Sequence, residues 1–259
     1  MFPLRDSVAR SRDPVVVWAI IALNIAVFGY QLTLSGREEQ IFLLEHALVP
    51  LRYFSPSWAA QYGLSPLDVT PFLTNTFMHG GWLHIILNLW TLYIFGPALE
   101  DRLGPARFLA LYLAAAVIAS ATHVVFNATS PIPALGASGA IAGVIGAYAV
   151  RFPYAWVRVL VPIFIFPFFF SIPALMFAGI WFFFQLLQGT SELFLSSAGG
   201  VAWWAHIGGF LAGVFLLGPL QPQSGSAAAG GPWANRDYER QFERRAQLMG
   251  PGSGWWSSR

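Results

Sequence analysis

Six apolar runs, near residues 15–34, 82–99, 106–126, 136–150, 171–188 and 201–219, govern what this chain can fold into. Such runs read as helices crossing a bilayer, where every backbone N–H and C=O must find its partner inside the segment. Only 10% of the 259 residues are charged and 56% are hydrophobic, too little polar surface for an ordinary soluble globule. The expectation is an all-α, polytopic membrane protein with six transmembrane helices. Residues 1–14 read as a cytosolic N-terminal segment and residues 15–220 as one membrane domain. Residues 221–259 read as a flexible cytosolic tail, opening on Pro, Ser, Ala and Gly in linker proportions.

The stretch from Val159 to Leu187 is too long for one untilted span and too short for two, and Pro162, Pro167 and Pro173 interrupt its first part. Val159 to Phe170 is therefore read as an interfacial or re-entrant approach to the fifth helix. All fourteen basic residues other than histidine are arginine. With the N-terminus in the cytosol, twelve of these fourteen fall inside, and only Arg37 and Arg52 lie outside. This is the positive-inside asymmetry, and the arginines follow membrane side without forming an extended basic surface for nucleic acid. In this topology helices two, four and six all descend from the outer face.

Polar side chains at membrane depth are costly and are candidate functional groups. Ser138, within Gly136-Ala137-Ser138-Gly139, begins the fourth run, and His206, within Ala205-His206-Ile207-Gly208-Gly209, begins the sixth. Gly136, Gly139, Gly143 and Gly146 recur at helical spacing, as do His206, Gly209 and Gly213, so the two helices can approach closely. Packing alone would also explain the glycines, and a buried histidine is often structural. Together, serine and histidine suggest nucleophile and base. No Asp or Glu lies between Arg102 and Ser191, and none in the sixth run, so a dyad is expected and not a carboxylate-supported triad. In helix two, His84 and Asn88 stand four residues apart and share a face. Both can donate hydrogen bonds to a developing oxyanion, and both could equally bond between helices without chemistry. His79 reads as off that face, against a two-histidine metal site. The chain has no cysteine, which excludes disulfides and Cys-ligated metals.

The run His79 to Asn88, the Gly136 to Gly139 motif, and Ala205-His206 followed by Gly209 resemble, in order and spacing, the rhomboid intramembrane serine proteases. The likeness covers roughly Pro71 to Gly213 and includes Leu99-Glu100-Asp101-Arg102-Leu103-Gly104, which reads as a structural loop motif. It implies a six-transmembrane-helix rhomboid-like fold, Ser138 as nucleophile, His206 as general base, and an oxyanion hole containing His84 and Asn88. It also implies that the substrates are transmembrane segments of other proteins in the lipid bilayer, cut usually near the membrane surface at a small residue. No metal or cofactor is expected. Helix five, with Trp181 to Phe184, Gln185 and Gln188, and the loop Gly189 to Gly200 would form a gate and cap. Lipid-facing aromatics are the plainer account of that helix. Some family members carry a Trp-Arg pair in the first outer loop, where this chain reads Leu67 to Thr74, so the anchoring of the loop is left open. A rhomboid-like protein that binds or escorts membrane clients without cutting them is the alternative. With no evident transit peptide, the bacterial cytoplasmic membrane is the expected location.

Overall fold

A computed structural model describes residues 1–163, 166–195 and 202–222. Most of the expected tail, residues 196–200 of the expected cap and residue 201 lie outside the described residues.

Each apolar run forms a helix. They are α1 (Val15–Gln31), α6 (Trp82–Leu103), α7 (Pro105–Phe126), α8 (Ser138–Arg151), α9 (Ala174–Leu195) and α10 (Trp203–Leu220). Four of them, α6, α7, α9 and α10, are long and apolar enough to cross a membrane, whereas α1 and α8 are apolar but shorter. Gly189 and Glu192, placed by sequence in a loop, lie inside α9. Between α1 and α6, the first loop folds into short helices: α2 (Gly36–His46), α3 (Leu51–Phe54), α4 (Pro56–Gln61) and α5 (Pro71–Thr74), then a 3₁₀ turn at Asn75–Phe77. Buried Arg52 anchors this loop, donating to Asp68 at 2.7 Å and to the Ser65 carbonyl at 2.9 Å.

The all-α expectation is corrected. The chain is mostly helical, but β1 (Phe2–Asp6), β2 (Trp156–Ile163) and β3 (Phe166–Pro173) form an antiparallel sheet in the order β1-β2-β3. The segment expected to be an interfacial approach is thus a hairpin. Its β-branched and aromatic residues favour strand, and Pro162 and Pro167, paired across the hairpin, would break a helix. Val157 and Val159 are buried, while Phe166, Phe168, Phe169 and Phe170 are exposed.

Two devices fix the helices that carry the site. Glu100 accepts from the Val16 and Val17 N–H groups, both at 2.9 Å, and so caps α1 with an anion where the helix dipole favours one. The motif Leu99 to Gly104 thus has a structural role, but it is no loop: Leu99 to Leu103 close α6 and Gly104 caps it. Between α8 and α10 the glycines allow backbone contact. A Cβ at Gly209 would fall on the Gly139 carbonyl, and one at Gly213 on the Gly143 carbonyl.

Candidate active site

Three helix N-termini converge. Ser138 is the first residue of α8, His84 the third of α6 and His206 the fourth of α10. The segment entering α8 is pinned from the first loop. Leu48 and Ala134 exchange backbone hydrogen bonds at 2.8 and 2.9 Å, and the Gly136 N–H donates to the Asn75 carbonyl at 2.9 Å. Asn75 is itself held through its amide, which donates to the Ser120 hydroxyl at 2.9 Å.

The close approach of α8 and α10 brings Ser138 Oγ to 2.8 Å from His206 Nε2. The other ring nitrogen, Nδ1, lies 2.7 Å from Oε1 of Gln185 on α9. Trp181 and Trp203 stand beside the imidazole, with ring centroids 5.9 and 6.1 Å away. Sequence reading noted Gln185 but missed this partnership, because no spacing rule relates a residue on α9 to one on α10.

His84 and Asn88 flank the serine from the α6 side. A Cβ at Gly136 would lie 2.7 Å from His84 Nε2 and 3.6 Å from Asn88 Nδ2, so both side chains aim at the backbone two residues before Ser138. Gly136 also has φ of +127°, a conformation open chiefly to glycine. The Gly80 N–H makes a long bond of 3.5 Å to His84 Nδ1, which leaves Nε2 as the ring donor facing Gly136. Asn88 Nδ2 is buried and makes no hydrogen bond. As the first residue of α8, Ser138 has a backbone N–H with no acceptor in its own helix. Around the serine, Asn75, Ser120, His123 and Gly136 line a cavity of about 20 Å³, the space of about one water.

His79 lies in the turn before α6 and is buried. Its ring packs edge-on against that of His84, with centroids 5.1 Å apart. The Gln31 amide clamps its backbone, accepting from the N–H at 3.0 Å and donating to the carbonyl at 3.2 Å. Burial, with the neighbouring His84 adding to it, pushes its pKa down to about 4. Among the described residues there is no group of three or more His, Cys, Asp or Glu able to hold a metal ion.

A family model described as the Rhomboid domain matches residues 66–222, which takes in His84, Asn88, Ser138, Gln185 and His206. The chain belongs to the rhomboid family. Rhomboid protein 1, mitochondrial, of Saccharomyces cerevisiae is 27% identical over 246 residues, covering 91% of this chain and 58% of that protein. The Bos taurus presenilin-associated rhomboid-like protein, mitochondrial, is 29% identical over 210 residues, covering 78% and 47%. The Danio rerio presenilin-associated rhomboid-like protein A, mitochondrial, is 32% identical over 157 residues, covering 57% and 37%. This rhomboid chain therefore spans less than two thirds of the length of these relatives. Their names place them in mitochondria, in conflict with the bacterial location expected from sequence. A multi-pass membrane protein is what stands.

Proposed function

We propose that this rhomboid is an intramembrane serine endopeptidase acting on transmembrane segments of other proteins. The observation that carries the reading is the 2.8 Å contact between Ser138 Oγ and His206 Nε2 in a protein of apolar helices. His206 Nε2 takes the hydroxyl proton as Oγ attacks a peptide carbonyl carbon, and returns it to the departing amine. The acyl ester is then cleaved by water, which His206 deprotonates in its turn. Charge develops on the substrate oxygen, and the Ser138 N–H, His84 Nε2–H and Asn88 Nδ2–H are the donors grouped to receive it. A client-binding protein that does not cut would have no need of this contact.

In the same reading all six apolar helices cross the bilayer, including the two shorter ones. At about 1.5 Å per residue the 14-residue α8 is about 21 Å long, short of the roughly 30 Å hydrocarbon core. Gly139 to Ala149 are all buried, so α8 meets protein and not lipid and can begin below the surface. Ser138 then reacts from within the membrane.

In detergent, a fluorophosphonate is expected to label the wild-type chain at Ser138, and Ser138→Ala and His206→Ala are each expected to abolish labelling and proteolysis while remaining folded. The double variant should be little worse than either, because the two residues act as a unit. Undiminished proteolysis by Ser138→Ala would sink the reading.

A further inference from the structure

We propose that Gln185 is the positioning residue that sets the tautomer of His206, so that the serine and its base work as a three-member chain with a neutral third member. The inference rests on the reading of Ser138 and His206 as nucleophile and base.

A general base must present a lone pair to the serine hydroxyl. Neutral imidazole does so at Nε2 only when its proton is on Nδ1, and the reverse tautomer would offer Ser138 a donor it cannot use. In an ordinary triad a carboxylate makes this choice. Here none is at hand in the sequence from Arg102 to Ser191 or in α10. Gln185 Oε1 stands in its place, 2.7 Å from Nδ1, and an amide oxygen can only accept. The amide is held the right way round, because its Nε2 donates to the Trp181 carbonyl at 3.4 Å, one turn back in α9. Gln185 is itself 7% exposed, so water offers its amide few other partners. The chain runs from the Trp181 carbonyl through Gln185 and His206 to Ser138, with every donor matched to an acceptor.

Glutamine differs from a carboxylate in one respect that can be measured. It fixes the tautomer and ring orientation but adds no charge to stabilise the imidazolium that forms during reaction. The three members also come from three helices, α8, α9 and α10. Base competence therefore depends on where α9 stands relative to α10, and α9 is the least enclosed of the four long apolar helices.

The test uses the full chain in detergent micelles, with ¹⁵N-labelled histidine and a fluorophosphonate as the probe. In the wild type, the His206 ring nitrogens should report a proton on Nδ1. In Gln185→Leu that preference should be lost and the labelling rate constant at Ser138 should fall about 10- to 100-fold, a fraction of the roughly 100- to 10,000-fold that general-base catalysis supplies. Gln185→Glu should restore the Nδ1–H tautomer and recover the rate near neutral pH. It should also move the acid limb of the rate–pH profile upward, since a carboxylate favours the charged imidazole. A wild-type rate in Gln185→Leu, or a lowered rate with the tautomer unchanged, would overturn the proposal. Should Gln185→Leu not fold, an acid limb in Gln185→Glu that coincides with the wild type would overturn it as well. Failure of the wild-type chain to label at Ser138 would instead overturn the underlying reading of nucleophile and base.

Discussion

At the scale of single residues, the roles of His84 and Asn88 can be separated from packing. Asn88 Nδ2 is a buried donor without a partner, a costly state that a substrate oxyanion would relieve. Asn88→Ala is therefore expected to lower kcat on a transmembrane substrate about 10- to 1,000-fold, with a smaller effect on KM and little change in stability. His84→Ala should act similarly. A large fall in thermal stability without a kcat loss in the folded fraction would assign the pair to helix packing. His79 should behave differently, because its ring supports that of His84 and its backbone is held by Gln31 whatever the side chain. Its pKa is pushed from 6.5 to about 4 by burial, so the unfolded chain binds this proton more readily than the folded one. The stability it contributes is present above pH 6.5 and is lost as pH falls toward 4. By pH 5 the loss amounts to about 2 kcal/mol. Melting temperatures in detergent should fall less between pH 7 and pH 5 for His79→Gln than for the wild type, and equal falls would refute this. The face shared by His84 and Asn88 was legible because helical spacing dictates it. The bond from Gln185 to His206 and the Gln31 clamp were not, because each joins residues that only packing brings together.

At the scale of elements, the small-residue stripes of α8 and α10 carry the most stringent expectation. Gly209→Ala places a methyl group on the Gly139 carbonyl, and neither backbone can yield without parting the two helices that hold Ser138 and His206. Overpacking of this kind costs about 1–3 kcal/mol, and the serine–histidine contact should lengthen with it. A lower melting temperature and slower fluorophosphonate labelling are both expected. Gly218→Ala is the control, since a Cβ there meets nothing within 4 Å and alanine favours helix. Equal effects from the two substitutions would mean that the close approach does not govern the site. The stripes could be read from sequence because three- and four-residue spacing marks one helix face. The hairpin of β2 and β3 could not. Its prolines interrupt a helix there, but a proline-broken apolar run looks the same whether it lies along a membrane surface or turns back on itself. What decides is the pairing of Trp156–Ile163 with Phe166–Pro173 and with the N-terminal Phe2–Asp6, a contact across some 150 positions of sequence.

For the whole molecule, the arrangement of helices and the distribution of arginines make the same claim from independent grounds. Ser138, His84 and His206 occupy N-terminal turns of α8, α6 and α10, so these three helices must enter from one side. In the six-span reading α7 and α9 run the other way, which brings Arg102 and Arg107 to the same side as Arg151 and Arg158. From sequence the same alternation is expected, because charge follows membrane side. Sequence could not establish that α8 is short and enclosed, which depends on the helices packed around it. If the six-span topology is right, Thr129, exposed between α7 and α8, and Ser224, beyond α10, are separated by three crossings and face opposite compartments. The chain has no cysteine, so a single introduced thiol reports without background. In bacterial spheroplasts expressing the protein, Thr129→Cys should react with a membrane-impermeant maleimide. Ser224→Cys should react only after the membrane is opened. Labelling of both in intact spheroplasts, or of neither, would require an even number of crossings between them. One of α8, α9 and α10 would then not span, and the common side from which the serine and both histidines are approached would be lost.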